Sequence, residues 1–447
     1  MGNHSIGIAL AEVVAATGGV ITDPGVAMFT SFHTDSREVK AGGLFFALRG
    51  AEMDGHRFVP DAVARGAGGV VVSGPVDAGA AVAIRVEDTW AALYSLARLR
   101  LQAAAPLVVG VTGSNGKTST KEMAAAVLGV RYQVLKTEGN LNTETGVPLT
   151  LLRLEPGLHT AAVIEMGMQG PGEIARLADL ARPQIGVVTM IGQVHLEHFP
   201  DQNSLAAAKG ELIEALPPDG LAVLPADDPY RGFLAALSRA RSISVGLGTG
   251  DLRGEGYRAI ADGCEFQVGR QIVTLPLAGR HQARNALAAL AVGQFADVSL
   301  AAGAAALRTV EVPGRFAIRT TREGWRIVDD TYNASPESML AAFETVAEMT
   351  RTGQLLAVLG EMRELGPRGP AEHQRVGVAA AASFAKICVI DVGLGSSLAE
   401  AAGADLVPDL AAASHWVRTN ARSGDVVLIK GSHGLALEQL VARVTGS

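Results

Sequence analysis

Lys117 and Thr118 close a run whose composition suits one task. The run is Gly110-Val111-Thr112-Gly113-Ser114-Asn115-Gly116-Lys117-Thr118-Ser119, directly after the apolar Leu107-Val108-Val109. A strand that ends in a glycine-rich turn and feeds a helix aims successive backbone N–H groups at one point. The helix N-terminus adds partial positive charge there. Phosphate oxygens satisfy both. In such a loop the backbone from Thr112 through Gly113, Ser114, Asn115 and Gly116 surrounds the phosphates, and the Lys117 ammonium reaches the β- and γ-phosphates. The Thr118 hydroxyl is a ligand for Mg²⁺. The spacing is a variant: the strict pattern puts its first glycine at position 111, which is Val111 here.

Two further residues fall where chemistry on a bound phosphate needs them. The apolar run Ala161-Ala162-Val163-Ile164 ends in Glu165, an acid at the strand end where a metal-handling carboxylate is expected. His195, in Val194-His195-Leu196-Glu197-His198, follows the next strand, read at Ile185-Gly186-Val187-Val188-Thr189. That places it at the same sheet edge. A phosphate loop alone leaves a kinase, a GTPase, a motor and a ligase open. The guanine-reading Asn-Lys-x-Asp of a GTPase is absent from the sequence.

The elements that must hold these residues follow from composition and pattern. A chain of 447 residues exceeds one core and predicts roughly three domains. Apolar residues at 48% against 19% charged mark it as globular, and 4% aromatics leave Ala, Val and Leu to fill the cores. A net charge of −7 without basic blocks excludes a general nucleic-acid binder but permits an anionic small molecule. The only two cysteines, Cys264 and Cys388, lie far apart in the chain, which excludes a disulfide framework and a cysteine-rich metal site, and their apolar runs predict buried small hydrophobes. No Lys or Arg precedes Arg37, so no secretory leader is expected; Ile6 stands where N-myristoylation after Met1-Gly2 needs Ser or Thr. The most apolar stretch, 286–307, is broken by Gln294, Asp297 and Ser299, so it reads as core helices and not a membrane span.

Along the chain, Gly43 to Leu48, Gly69 to Val72 and Ala81 to Ile84 read as buried strands. Phe58, Ala62, Val63 and Ala67 carry helical spacing between the first two, and a helix spans about 89–101 before Pro106. The middle region alternates strands and helices, which indicates a mostly parallel sheet. It becomes strand-rich near Leu221 to Leu224 and Glu265 to Leu277, read as a small β extension, and ends in an Ala-rich helix pair to about Val310. Beyond Pro313-Gly314, strands at Trp325 to Val328, Leu355 to Leu359, Ile387 to Ile390 and Val426 to Ile429 make a third α/β unit. The domains expected are 1–104, 105–311 and 312–447.

Thr112 to Ser119 resembles the ATP loop of the Mur ligase family, and the resemblance extends over the chain. Thr34-Asp35-Ser36-Arg37 and Gly43 to Gly50 are similar to the N-terminal UDP-binding domain of that family. Gly139-Asn140-Leu141-Asn142 and Gly146-Val147-Pro148 are similar to the stretch after the loop. Gly279-Arg280-His281-Gln282-Ala283-Arg284-Asn285 is similar to the adenine-contacting segment, with Gln282 where Asn is more usual. The fold implied is α/β in three domains: a central P-loop domain, an N-terminal UDP-binding domain and a C-terminal Rossmann-like domain. Asp329 to Pro336 and Leu359 to Gly366 resemble the branch that adds D-alanyl-D-alanine to UDP-N-acetylmuramoyl-tripeptide. The diaminopimelate-adding branch carries Asp-Asn-Pro-Arg in this domain, and this sequence has none.

The resemblance implies residue roles. Ser36, Arg37, His56, Asn140 and Asn142 approach the UDP substrate. Asn285, Arg315 and Asp330 join the loop at ATP. Tyr332, Asn333 and Lys430 seat the dipeptide. Thr118 and Glu165 hold one Mg²⁺ ion, and His195 with a carbamate formed on Lys209 holds a second. Lys117, Lys209 and Arg315 carry catalysis, which runs through an acyl phosphate formed from ATP. The implied partners are the two small-molecule substrates, with no polymer of nucleic acid and no membrane insertion, in a cytoplasmic monomer. Another amino-acid ligase of the family, a P-loop kinase and a non-catalytic ATP switch are the competing readings.

Overall fold

Short apolar runs become buried strands, and the amphipathic stretches between them become the helices that cover both sheet faces. The computed structural model describes residues 7–21, 28–50, 53–192, 199–312, 314–363 and 365–445. The chain divides into two compact units. One contains Met1–Gly110, Tyr132–Met168 and Gly172–Gln184; the other contains Val111–Arg131, Gln169–Pro171 and Ile185–Ser447. The expected boundary residue Pro313 lies outside the described residues.

In the first unit a five-stranded sheet runs in the order Val20–Ile21, Val82–Arg85, Gly69–Val72, Leu44–Phe46, Phe32–His33. All its pairings are parallel except the Val20–Ile21 edge. The strand expected from Gly43 to Leu48 is shorter, and the helix expected around Phe58 covers only Val59–Ala64. Phe58 is itself exposed, a correction to its place on the buried face: it belongs to a preceding 3₁₀ turn, which rotates it off the helix stripe. The helix Thr89–Ala104 starts on an Asp88 cap that accepts from the Trp90 and Ala91 amides. It runs past Leu101 and stops where Ala105 turns left-handed before Pro106, whose missing N–H cannot continue it. The same unit holds the parallel pair Val134–Lys136 and Ala161–Glu165.

In the second unit Ile185–Val188, Leu221–Pro225 and Arg241–Leu247 pair in parallel. Leu221–Pro225 is therefore part of the parallel run and not of the β extension expected there. Being buried throughout, it shows no alternation that would separate the two readings. The extension consists of Leu252–Ile260, Gly263–Val268 and Gln271–Leu275. The Ala-rich pair is Arg280–Phe295 and Leu300–Leu307.

The C-terminal sheet has the order Ala317–Thr320, Arg326–Asp330, Val426–Lys430, Leu355–Leu359, Lys386–Ile390, Asp405–Val407. Only its first pair is antiparallel. Its strands alternate between two cores. Val328, Leu355, Ala357, Leu359 and Leu428 pack with Met339, Phe343 and Val376 on one face. Ile327, Leu356, Val358, Cys388 and Val427 pack with Trp416, Val417 and Leu440 on the other. Burial pushes the thiols of Cys264 and Cys388 up to about 12, which keeps both protonated and inert. No described helix is long and apolar enough to cross a membrane.

Asp425 ties two turns at the base of this sheet: its carboxylate accepts from Gln354 N at 2.6 Å and Arg422 N at 2.8 Å. Asp425→Ala leaves both amides without that partner. It should cost about 2 kcal/mol, read as a lower urea midpoint at unchanged slope, with Asp425→Asn milder. An unchanged midpoint for the alanine variant would contradict this account.

Candidate active site

The strand Leu107–Thr112 delivers the chain into the loop, and the helix Lys117–Leu128 receives it. Two glycines make the turn possible. Gly113 has φ +145° and Gly116 φ +85°, regions closed to most side chains. A Cβ on Gly113 would run into Thr189, and one on Gly116 would come within 2.8 Å of Asn285 Oδ1. The loop is wired to the end of the neighbouring strand. Thr189 N donates to Thr112 O at 3.0 Å, Ser114 N to Met190 O at 2.9 Å, and Gly192 N to Ser114 Oγ at 2.8 Å. The Thr189 hydroxyl donates to Asn115 O. The Lys117 ammonium folds back on the loop and donates to Gly113 O at 2.9 Å. A preset nest of amides with a lysine at its rim is suited to a polyphosphate.

Asn285 projects from the helix Arg280–Phe295 against this loop, and its Nδ2 donates to Gln282 Oε1 at 3.2 Å. Gln282, the departure from the usual Asn, thus orients the Asn285 amide. Lys209, on the helix Gln202–Glu214, is 2% exposed. Burial, followed by the positive charge of Lys117, holds its ammonium well below the ordinary lysine range. His195 lies outside the described residues.

In the first unit Glu165 is 2% exposed at its strand end. Its amide donates to Thr137 Oγ1 at 2.9 Å and its Oε1 accepts from Asn142 Nδ2 at 2.8 Å. Asn142 thus orients the acid, while Asn140 is exposed. Ser36 is buried in a 3₁₀ turn capped by Asp35. Arg37 is exposed and folds onto the Asp35 carboxylate at 2.5 Å. Its hydrogen bond is the first cause holding the Asp35 carboxyl below its usual range. His56 uses both ring nitrogens internally: Nδ1 meets Asp54 Oδ1 at 2.6 Å, and Nε2 accepts from Ser73 N at 2.8 Å.

In the second unit the remaining candidates gather at the carboxyl edge of the C-terminal sheet. Lys430 is 2% exposed, which excludes a solvated lysine at that strand end. Its ammonium meets Asp330 Oδ2 at 2.6 Å and donates to Asn333 O at 2.9 Å. Burial lowers its pKa, and the Asp330 charge opposes that. Lys430 therefore fixes Asp330 and Asn333 from beneath. The Arg315 guanidinium lies 3.9 Å over the Tyr332 ring, and its Nε is a buried donor with no hydrogen-bond partner among the described residues. A half-buried cation whose buried Nε has no partner among the described residues is suited to receive an incoming anion.

His281 was not singled out by pattern, although it sits in the segment that carries Asn285. Its ring packs edge-on to Phe316 at 5.9 Å and so joins the helix Arg280–Phe295 to the segment that enters the strand Ala317–Thr320. Desolvation lowers its pKa to about 4; Asp330 opposes this, while Lys430, Arg284 and Arg315 add to it. Only its position one residue before Gln282 could have signalled it.

Three family models match the chain: "Mur ligase family, catalytic domain" over residues 29–101, "Mur ligase middle domain" over 111–293 and "Mur ligase, glutamate ligase domain" over 314–433. A curated relative from Synechocystis, named UDP-N-acetylmuramoyl-tripeptide--D-alanyl-D-alanine ligase, is 39% identical, with 92% of this chain and 91% of the relative aligned. A crystal structure of MurF from Acinetobacter baumannii superposes with TM-score 0.90 at 30% identity, covering 99% of each chain. MurF from Thermotoga maritima in complex with ADP superposes with TM-score 0.80 at 30% identity, covering 93% of this chain and 97% of that one. The fold is the three-domain α/β architecture of these structures.

The depressed His281 pKa makes a pH prediction. The unfolded ring binds its proton near pH 6.5 and the folded ring only near 4, so stability present above pH 6.5 is lost as pH falls towards 4. With some solvent reaching the ring, the loss should be on the order of 1–2 kcal/mol. His281→Gln should flatten the urea-midpoint profile between pH 7 and about 4 by that amount; identical profiles would contradict the assignment.

Proposed function

The chain belongs to the Mur ligase family, and we propose on that premise that it joins D-alanyl-D-alanine to UDP-N-acetylmuramoyl-tripeptide in an ATP-driven step of peptidoglycan synthesis. The products are the pentapeptide precursor, ADP and phosphate. Near-full-length identity to ligases of that name carries the reading. The site chemistry agrees with its physical demand. A carboxylate and an amine do not condense spontaneously in water, and ATP converts the carboxylate to an acyl phosphate with a good leaving group. The carboxylate and the γ-phosphate repel each other, so cations must neutralise both before they meet.

We assign that task to Lys117 and Arg315, with Thr112 to Thr118 cradling the phosphates and Asn285 and Asp330 placing the nucleoside. Ser36, Arg37 and Asn140 approach the UDP substrate; His56 and Asn142 act by holding Ser73 and Glu165. Tyr332 and Asn333 seat the dipeptide over the buried Lys430. The hard oxygen donors of Thr118 and Glu165 fit Mg²⁺, which takes few protein ligands beside phosphate and water. When bound, Mg²⁺ would neutralise phosphate charge. Lys209 fits a carbamate: burial and Lys117 both favour its neutral amine. That amine adds CO₂ and releases one proton to give an anionic oxygen ligand, with His195 proposed beside it. Three domains bounded near residues 104 and 311, a monomeric state and a cytoplasmic location complete the proposal.

One incubation tests the reaction: UDP-N-acetylmuramoyl-tripeptide, D-alanyl-D-alanine and ATP, read by mass. A dipeptide-extended product with ADP is expected; a phosphorylated tripeptide would mean a kinase, and no turnover a nucleotide switch. In that assay Lys117→Ala should lower turnover on the order of 10²–10³; wild-type turnover would remove the loop from the ATP site. Lys209→Ala should lose most activity and regain part of it with formate, which replaces the carbamate oxygens. A wild-type rate would dismiss a role for Lys209, and loss without rescue would keep Lys209 in the site and leave the carbamate without support.

A further inference from the structure

We propose that Arg363 receives the C-terminal carboxylate of the incoming dipeptide, with Glu361 as the positioning residue that fixes its guanidinium; the inference rests on the dipeptide reading above. Gly360 to Arg363 leave the strand Leu355–Leu359 beside Val426–Lys430, the strand that returns from the far end of the chain to sit next to Arg326–Asp330. In open α/β sheets this reversal of strand order, at the carboxyl edge, is where ligands bind.

The segment is unusually well fixed for a loop. Gly360 N donates to Lys430 O at 2.9 Å and Ser432 N to Glu361 O at 3.1 Å. Arg363 N donates to Ser432 Oγ at 2.9 Å and Met362 N to His373 Nε2 at 2.9 Å. His373 is wholly buried, and its Nδ1 donates to Gly369 O at 2.7 Å, which assigns Nε2 as the acceptor. The Glu361 side chain is 10% exposed, and its Oε1 accepts from Arg363 Nε at 2.6 Å. Two glycines close the clamp: a Cβ on Gly393 would run into the Glu361 carboxylate, and one on Gly434 into the Arg363 guanidinium.

A buried carboxylate, two bare backbones and four hydrogen bonds hold one arginine that stays 49% exposed at its side chain. Glu361 takes only Nε. Among the described residues the Nη groups donate no hydrogen bond, which leaves the fork that matches two carboxylate oxygens. The neighbours fit a short peptide. Gly434 adjoins His433, whose ring lies 5.7 Å from Tyr332, and Tyr332 carries Arg315 on its face. The Arg363 guanidinium thus lies against Gly434, the residue after His433, while the His433 ring neighbours Tyr332 and Tyr332 carries Arg315. With the dipeptide's amine on the Arg315 side of Tyr332, its carboxylate needs a cation on the His433 side, where the Gly434 backbone borders Arg363.

The test compares D-alanyl-D-alanine with D-alanyl-D-alaninamide, which lacks the carboxylate charge, within each enzyme. Wild type should prefer the acid by about 10- to 100-fold in kcat/KM, the scale of one charge-assisted interaction. In Arg363→Ala that ratio should fall close to unity, mainly through KM. Arg363→Lys, which keeps charge without the fork, should fall between. Glu361→Gln should raise KM for the acid more than it lowers kcat. A wild type indifferent to the amide, or a wild-type ratio surviving in Arg363→Ala, overturns the inference while leaving the ligase reading intact. Should Arg363→Ala not fold, an undiminished ratio in Arg363→Lys overturns it equally. Failure of wild type to ligate either peptide would instead overturn the ligase reading, and this inference with it.

Discussion

Gly113 and Gly116 stand between the phosphate loop and two side chains, Thr189 and Asn285, that leave no space for a Cβ. The arrangement of the loop from Gly113 to Thr118 depends on that closeness. Thr189 holds the loop to the neighbouring strand, so the amides face one way without help from a ligand. Asn285 reaches the loop only because Gly116 exposes bare backbone. Preorganisation is therefore set by steric exclusion and not by binding. The cost of ordering the loop falls on folding.

Charge is handled by burial. Lys209 and Lys430 are among the most buried large side chains, yet their surroundings differ. Lys430 has a carboxylate at 2.6 Å that keeps its charge matched, so it serves as an internal strut beneath Asp330 and Asn333. Both influences on Lys209 act against its charged form. The same residue type is thus a cation in one place and a candidate nucleophile in the other, and the difference is the partner, not the burial.

Arginine is treated in two further ways. Arg315 is stacked on Tyr332, and its buried Nε has no partner among the described residues. Arg363 has one edge fixed by Glu361 and the other uncommitted. In both, a neighbour removes rotamer freedom from the guanidinium, which would lower the entropic cost of any contact it makes with an anion. His281 links the halves of this unit by packing, since Phe316 is its ring partner.

The glycine-rich turn between strand and helix, the alternation of strands and helices, and the kinship to ligases are all legible in the chain. These rest on local order: glycine permits φ values that other residues avoid, and a buried strand reads as an apolar run wherever it lies. The sequence also named Lys209, Lys430 and Arg315 as candidates. It did not separate Leu221–Pro225 from a β extension, because a fully buried strand has no alternation to read. The edge strands Ala317–Thr320 and Asp405–Val407 are short and partly exposed, so neither shows as a buried apolar run in the sequence. Tertiary structure alone decided what each charged residue does. Lys430 meets Asp330, His56 meets Ser73, and Arg363 meets the backbone of Gly434, across separations in the chain that no spacing rule connects. A side chain's charge state, and the donors it has left over, are properties of its neighbours, and neighbours are fixed only when the chain is folded.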